Sequence, residues 1–112
     1  MEKILLVEDE ESMRLLITMD LEDKGFQIES AKHGIEALEK LKMNSIEGIV
    51  TDLTMPEMDG WQLCKTLREQ GCTLPIIVYT NRQDHNDVTK YANKVIIKSP
   101  DNSELINYLK TL

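Results

Sequence analysis

Residues 48–61 read GIVTDLTMPEMDGW, and their order decides the fold. An apolar approach, Gly48 to Thr51, reads as a short strand and runs directly into Asp52. A loop containing Met55, Pro56 and the pair Asp59–Gly60 follows. Asp59 is placed to cap a helix through Gln70, with Leu63 and Leu67 on its inner face and Gly71 ending it. A strand that leaves a core with a carboxylate at its tip and then turns into a helix sets an acid at the edge of a sheet.

The same strand–helix unit recurs on both sides of this stretch. Lys3 to Val7 (KILLV) is continuously apolar, as expected of a strand buried on both faces. Ser12 is a candidate cap for the next helix, whose apolar positions Met13, Leu16, Ile17 and Leu21 recur at helical spacing before Gly25 stops it. Phe26 to Ala31 alternates weakly, an edge-strand pattern, and Gly34 to Met43 carries a stripe of Ile35, Leu38 and Leu41 with Ala37 beside it. Pro75 to Thr80 (PIIVYT) and Lys94 to Ile97 (KVII) read as the last two strands, and Ser103 to Leu112 as a closing helix with Leu105, Ile106 and Leu109 inward. Asn81 to Asn93 has a poor helical signal, so a fourth helix there is expected to be short or irregular. Alternating strands and helices predict an α/β fold: five parallel strands with helices on both faces. The whole chain, residues 1–112, reads as one domain.

Composition narrows the function. A net charge of −7, with no basic run and no aromatic platform, disfavours nucleic acid and anionic membranes. No apolar run approaches the roughly 20 residues that span a bilayer, and the N-terminus lacks the flank and core of a signal peptide. Cys64 and Cys72 have no metal or redox spacing and read as reduced, packed thiols of a cytoplasmic protein.

In open parallel sheets, ligands bind beyond the carboxyl ends of the strands. The first strand delivers Glu8 and Asp9 there, the third Asp52, the fourth Thr80 and the fifth Lys98. Three negative charges face one positive charge. Crowded carboxylates repel, so at least one should have a raised pKa unless a cation intervenes. A divalent ion would bring the sum to zero, and hard oxygen donors favour Mg²⁺ over Zn²⁺. Thr80 and Lys98 supply what a phosphoryl group needs on its other oxygens: one neutral donor and one cation.

ILLVEDE, TDLTMPEMDG, PIIVYT and IIKSP, in that order and at those intervals, resemble the receiver domain of two-component response regulators, a CheY-like, flavodoxin-like (βα)5 fold. The resemblance spans essentially the whole chain. It implies that Asp52 is a phosphoacceptor, Asp9 a direct Mg²⁺ ligand and Glu8 a ligand through water. It also implies the Thr54 backbone carbonyl as a further ligand, Thr80 as the switch hydroxyl and Lys98 as the phosphate-pairing lysine. The implied donor is a sensor histidine kinase or histidine phosphotransfer protein. The implied output is a separate effector protein or an output domain absent from this chain. Pro56 and Gly60 would shape the loop that presents the Thr54 carbonyl. The implied activity is self-phosphorylation rather than multiple-turnover catalysis.

Four positions depart from the family pattern. Asn81 replaces a small residue, and Val95 an aromatic one. Lys98 is followed by Ser99 and only then Pro100. A cis Lys98–Ser99 bond would cost about 3–4 kcal/mol, so a trans bond is expected. The stretch from Asn81 to Lys94 is about one helical turn shorter than the family norm. All four lie in the second half, so the acceptor half is expected to work while the signalling surface is non-standard. Two alternatives stand beside this reading. One is a pseudo-receiver that binds partners without phosphorylation. The other is an aspartyl-phosphate phosphatase, which Thr54 argues against by standing where such enzymes carry a second aspartate. His33 and His85 are expected to be solvent-exposed and without a role, and Trp61 to pack as core or rim.

Overall fold

The computed structural model describes residues 3–53, 59–81 and 90–112. In chain order these form β1 (Lys3–Val7), α1 (Glu11–Asp23), β2 (Gln27–Ala31), α2 (Gly34–Met43), β3 (Gly48–Thr51), α3 (Gly60–Glu69), β4 (Ile76–Thr80), β5 (Lys94–Ile97) and α4 (Ser103–Leu109). The strands make one parallel sheet in the order β2-β1-β3-β4-β5. The chain leaves β1 toward β2 on one side and returns to β3 on the other. The crevice at this change of direction lies beyond the carboxyl ends of β1 and β3.

Register places the functional residues. Val7 pairs with Thr51, so Glu8 and Asp52 leave the sheet side by side. The Asp52 amide still donates to the Val7 carbonyl at 3.1 Å. On the far side Thr80 pairs with Ile97, and the Lys98 amide donates to the Thr80 carbonyl at 2.9 Å.

The strands are apolar throughout because alternate side chains enter two different layers. Leu5, Val7, Ile49, Ile76 and Val78 meet Ala37, Leu63 and Leu67 of α2 and α3. Ile4, Leu6, Val50, Ile77, Tyr79 and Ile96 meet Ile17 and Leu21 of α1 and Leu105, Ile106 and Leu109 of α4. All five residues of β4 are buried, as its β-branched run anticipates.

The helices depart from the sequence reading in detail. Glu10, not Ser12, stands at the N-cap of α1, and the Ser12 hydroxyl donates to Glu10 Oε1 at 2.7 Å. Leu16 is 57% exposed because Ile17 and Leu21, four residues apart, form the inward seam. Ile35 of α2 is 44% exposed, and Gly34 and Ala37 take the buried positions. His33 has a role after all: its Nδ1 accepts the Glu36 amide at 3.2 Å and caps α2. Asp59 caps α3 as expected, accepting the Gln62 amide at 2.8 Å. Trp61 is half-buried, edge-on to Tyr91 with centroids 6.2 Å apart. The final helix ends at Leu109 rather than Leu112.

The expected irregular helix between Asn81 and Asn93, and His85 within it, fall largely on residues 82–89, outside the described residues. Arg68 ties down the approach to β5. Its guanidinium donates to the carbonyls of Cys72, Leu74 and Tyr91 and to Asn93 Oδ1, at 2.8–2.9 Å. Asn93 Oδ1 also accepts the Ile76 amide at 2.8 Å. Among the described residues every peptide bond is trans, Lys98–Ser99 included.

Gly60 is the point where α3 meets the strand-end crevice. A Cβ added there would lie 1.9 Å from the Asp52 carbonyl oxygen and 2.8 Å from Leu53 Cα. Both obstacles are backbone, so no rotamer relieves the clash. Gly60→Ala is expected to destabilise the protein by about 3 kcal/mol, the upper end of overpacking costs; urea unfolding measures it. The cysteines give a second check. Burial pushes the Cys64 thiol up to about 12, whereas Cys72 is only partly buried. A thiol reagent at neutral pH is expected to modify Cys72 in the folded protein and Cys64 only after denaturation.

Candidate functional site

Glu8 is the anchor of the crevice. It is only 3% exposed, and both of its carboxylate oxygens are used. Oε1 accepts from the Lys98 ammonium at 2.6 Å, and Oε2 accepts the Glu10 amide at 3.1 Å. Asp52 is partly buried beside it. Its Oδ2 accepts from the same ammonium at 2.8 Å, and its Oδ1 from the Leu53 amide at 2.6 Å. Lys98 therefore spans the tips of β1 and β3 from its own place at the end of β5.

Asp9 completes the acidic set. Carboxylate oxygens of Glu8, Asp9 and Asp52 all lie within 4.8 Å of one another. Asp9 is exposed, and among the described residues no hydrogen bond or ion pair engages its carboxylate. Thr80 is buried at the end of β4, adjacent in the sheet to both β3 and β5. Glu8, Asp9, Asp52 and Lys98 thus come together as the sequence predicts, and Thr80 ends the strand between Asp52 and Lys98. Thr54 and Pro56 lie outside the described residues.

The electrostatics arise from burial. Desolvation is the largest influence on Glu8 and raises its pKa, even against the lowering effect of Lys98; repulsion from Asp52 adds a smaller push. The expected rise is present, but burial is its main cause. For Lys98, burial alone would lower the ammonium pKa, yet Asp52 and Glu8 together outweigh it and hold the value above the usual lysine range. The reason is that the ammonium gains from hydrogen bonds and charge attraction to both acids at once.

Arg14 is a site residue that pattern reading missed. Its Nη1 donates to the Glu8 carbonyl at 2.8 Å and, more weakly, to the Asp9 carbonyl at 3.4 Å. It braces the backbone of the acidic loop from the first turn of α1. An arginine on an otherwise acidic helix start was the available signal.

The donor set fits a hard divalent cation. Among the described residues the cluster offers oxygens alone, three carboxylates stand beside the one Lys98 ammonium, and Asp9 projects an uncommitted carboxylate. Among the described residues, no helix is long and apolar enough to cross a membrane.

Known proteins share this chain's sequence pattern and fold. The family model described as the response regulator receiver domain matches residues 4–110. The alkaline phosphatase synthesis transcriptional regulatory protein PhoP of Bacillus subtilis is 39% identical over 85 residues, covering 76% of this chain and 35% of PhoP. Sensor protein EvgS of Escherichia coli is 37% identical over 87 residues, covering 78% of this chain and 7% of EvgS. This chain therefore spans about a third or less of the curated relatives it matches. Among solved structures, Thermotoga maritima response regulator TrrA in complex with Mg²⁺-BeF superposes with a TM-score of 0.93 at 27% identity, over 99% of this chain and 98% of TrrA. TrrA in a complex with the histidine kinase ThkA gives 0.90 at 27% identity, over 99% and 97%. With its five-stranded parallel sheet, its acids and lysine gathered at the strand ends, and a family match over nearly its full length, this chain belongs to the response regulator receiver domain family.

Proposed function

We propose that this receiver takes a phosphoryl group onto Asp52 from the phosphohistidine of a sensor histidine kinase or histidine phosphotransfer protein. One observation carries the reading: the Lys98 ammonium lies 2.8 Å from Asp52 Oδ2 while its other contact, Glu8 Oε1 at 2.6 Å, fixes it in place. A cation held there sits where charge develops on a transferring phosphoryl group.

In the transfer, an Asp52 carboxylate oxygen forms the new bond to phosphorus as the bond from phosphorus to the donor imidazole nitrogen breaks. The imidazole leaves with the electron pair, and the product on Asp52 is an acyl phosphate. The Leu53 amide, already donating to Asp52 Oδ1, orients the carboxylate. Lys98 then shifts its hydrogen bonds from carboxylate oxygens to phosphoryl oxygens.

Mg²⁺ would be held by Asp9, Asp52 and Glu8, with the Thr54 carbonyl as a further ligand, and would supply positive charge to the phosphoryl oxygens. Glu8, with both oxygens occupied, suits an outer position, and Asp9, open to solvent, suits direct ligation. The complex of TrrA with Mg²⁺-BeF supports a Mg²⁺ site in this fold by likeness.

Thr80 would turn its hydroxyl to the phosphoryl group and shift the balance between two surface states. The readout is a separate effector protein or an output domain carried elsewhere, consistent with the greater length of PhoP. The chain works in the cytoplasm as an acceptor and not as a multiple-turnover enzyme.

Intact-mass measurement after incubation with acetyl phosphate and Mg²⁺ is expected to show one added phosphoryl group. Asp52→Asn or omission of Mg²⁺ is expected to abolish it. An unchanged mass in the wild-type protein would favour a partner-binding module that works without phosphorylation, and steady release of inorganic phosphate from a phosphate ester would favour a phosphatase. Lys98→Met is expected to slow incorporation by about 10²-fold, the scale of losing one preorganised electrostatic contact. It is also expected to lower stability by about 3–5 kcal/mol, because it strands the Glu8 carboxylate. Initial rates by mass and urea midpoints separate the two effects.

A further inference from the structure

Lys98 is the first residue beyond β5, and the loop it opens runs through Ser99, Pro100 and Asp101 to Asn102 before α4 begins. A lysine on such a loop needs something to hold its backbone. The structure supplies a polar chain through the second core layer. The Ser99 amide donates to Tyr79 Oη at 3.2 Å. Tyr79 Oη donates its single proton to Asn102 Oδ1; its contact with the Ser99 carbonyl, at 3.4 Å, is too long to compete. Asn102 Nδ2 donates to Asp20 Oδ2 on α1 at 2.6 Å.

Tyr79 and Asn102 are both buried, and Asn102 adopts a left-handed backbone at φ 56°. Buried polar groups are costly unless bonded, and here the Tyr79 hydroxyl and both the oxygen and the nitrogen of the Asn102 amide have partners. A phenylalanine would fill the space of the Tyr79 ring without bringing a hydroxyl into an apolar layer. The hydroxyl therefore has a task beyond packing.

We propose that Ser99, Tyr79, Asn102 and Asp20 form a positioning network that fixes Lys98 between Glu8 and Asp52. The geometry gives the network two handles on the site. Tyr79 immediately precedes Thr80, whose carbonyl accepts the Lys98 amide, so one strand end fixes Lys98 while its neighbour in sequence fixes Ser99. Helix α1 holds both the acidic loop and the end of the lysine loop: Arg14 bonds the Glu8 carbonyl near its start, and Asp20 bonds Asn102 farther along. The Ser99 N–H is available only because residue 99 is not proline, whose ring has no such donor. Here a hydrogen bond sets the lysine loop where a proline ring would otherwise do so.

The kinetic consequence rests on the proposed role of Asp52; the positional one does not. Three variants test both: Tyr79→Phe, Ser99→Pro and Asn102→Gly, the last keeping a residue that tolerates the left-handed backbone. In the first arm, NMR follows the Lys98 side-chain ammonium protons at low temperature. The wild type is expected to show a slowly exchanging signal, and the variants to lose it. In the second arm, incorporation at Asp52 is followed by mass at saturating acetyl phosphate and Mg²⁺, where urea titration shows each variant folded. The maximal rate is expected to fall about tenfold with the half-saturating donor concentration unchanged, the mark of misplacement rather than lost binding. Tyr79→Phe is expected to have no further effect in a Lys98→Met background, because the network acts through that lysine. Wild-type ammonium protection and rates in folded variants would overturn the proposal. So would an equal loss in the Lys98→Met background, which would mark a purely structural role. If the wild type takes no phosphoryl group, the role of Asp52 fails and the ammonium signal alone decides the positioning.

Discussion

One ammonium between two carboxylates organises the carboxyl-terminal edge of the sheet. Glu8, Asp52 and Lys98 come from three strands far apart in sequence, and each side chain is largely hidden from solvent. Burying an ion pair seldom adds net stability, because the ions give up their hydration. Here, among the described residues, two acids share the Lys98 ammonium. The raised Glu8 pKa records the cost of that burial. A fold selected for stability alone would place apolar side chains here. Under the proposed function, a site that receives a divalent cation and a phosphoryl group would benefit from keeping negative charge and a positioned cation ready.

The surrounding structure serves that arrangement. Parallel pairing of β1 with β3 puts Glu8 and Asp52 in adjacent positions, and the pairing of β4 with β5 carries Lys98 toward them. Gly60 lets the first turn of α3 rest on the backbone of Asp52 and Leu53, which seats Asp52 from below. Arg14 holds the acidic loop from α1. Away from the crevice, Arg68 binds the end of α3 to the approach to β5. The scaffold thus grips the backbone that carries the site, which keeps its side chains on rigid elements.

Much of this was legible beforehand. The strands were readable because both sheet faces are covered, which makes each run apolar without alternation. Asp52, Glu8, Asp9 and Lys98 were readable because a strand end followed by a charged residue marks the ligand edge of a parallel sheet. Helix faces were less legible. Leu16 and Ile35 fit a helical stripe yet lie at its flank, because a stripe several residues wide does not say which member centres on the sheet. The His33 cap is not legible in sequence, because a histidine cap depends on a local backbone turn that its residue type does not announce.

The sequence by itself determined the order of strands and helices, the parallel sheet and the identity of the groups at its edge. All of these stem from local hydrophobic pattern and from the rule that ligands gather at strand ends. Only the tertiary structure decided how those groups divide their contacts. It made Glu8 the buried anchor and left Asp9 open. It joined Asp20 to Tyr79 through Asn102, residues whose separation along the chain hides their meeting. The physical reason is that hydrogen bonds and desolvation depend on atomic distance, and distances between segments are set by packing rather than by spacing in sequence.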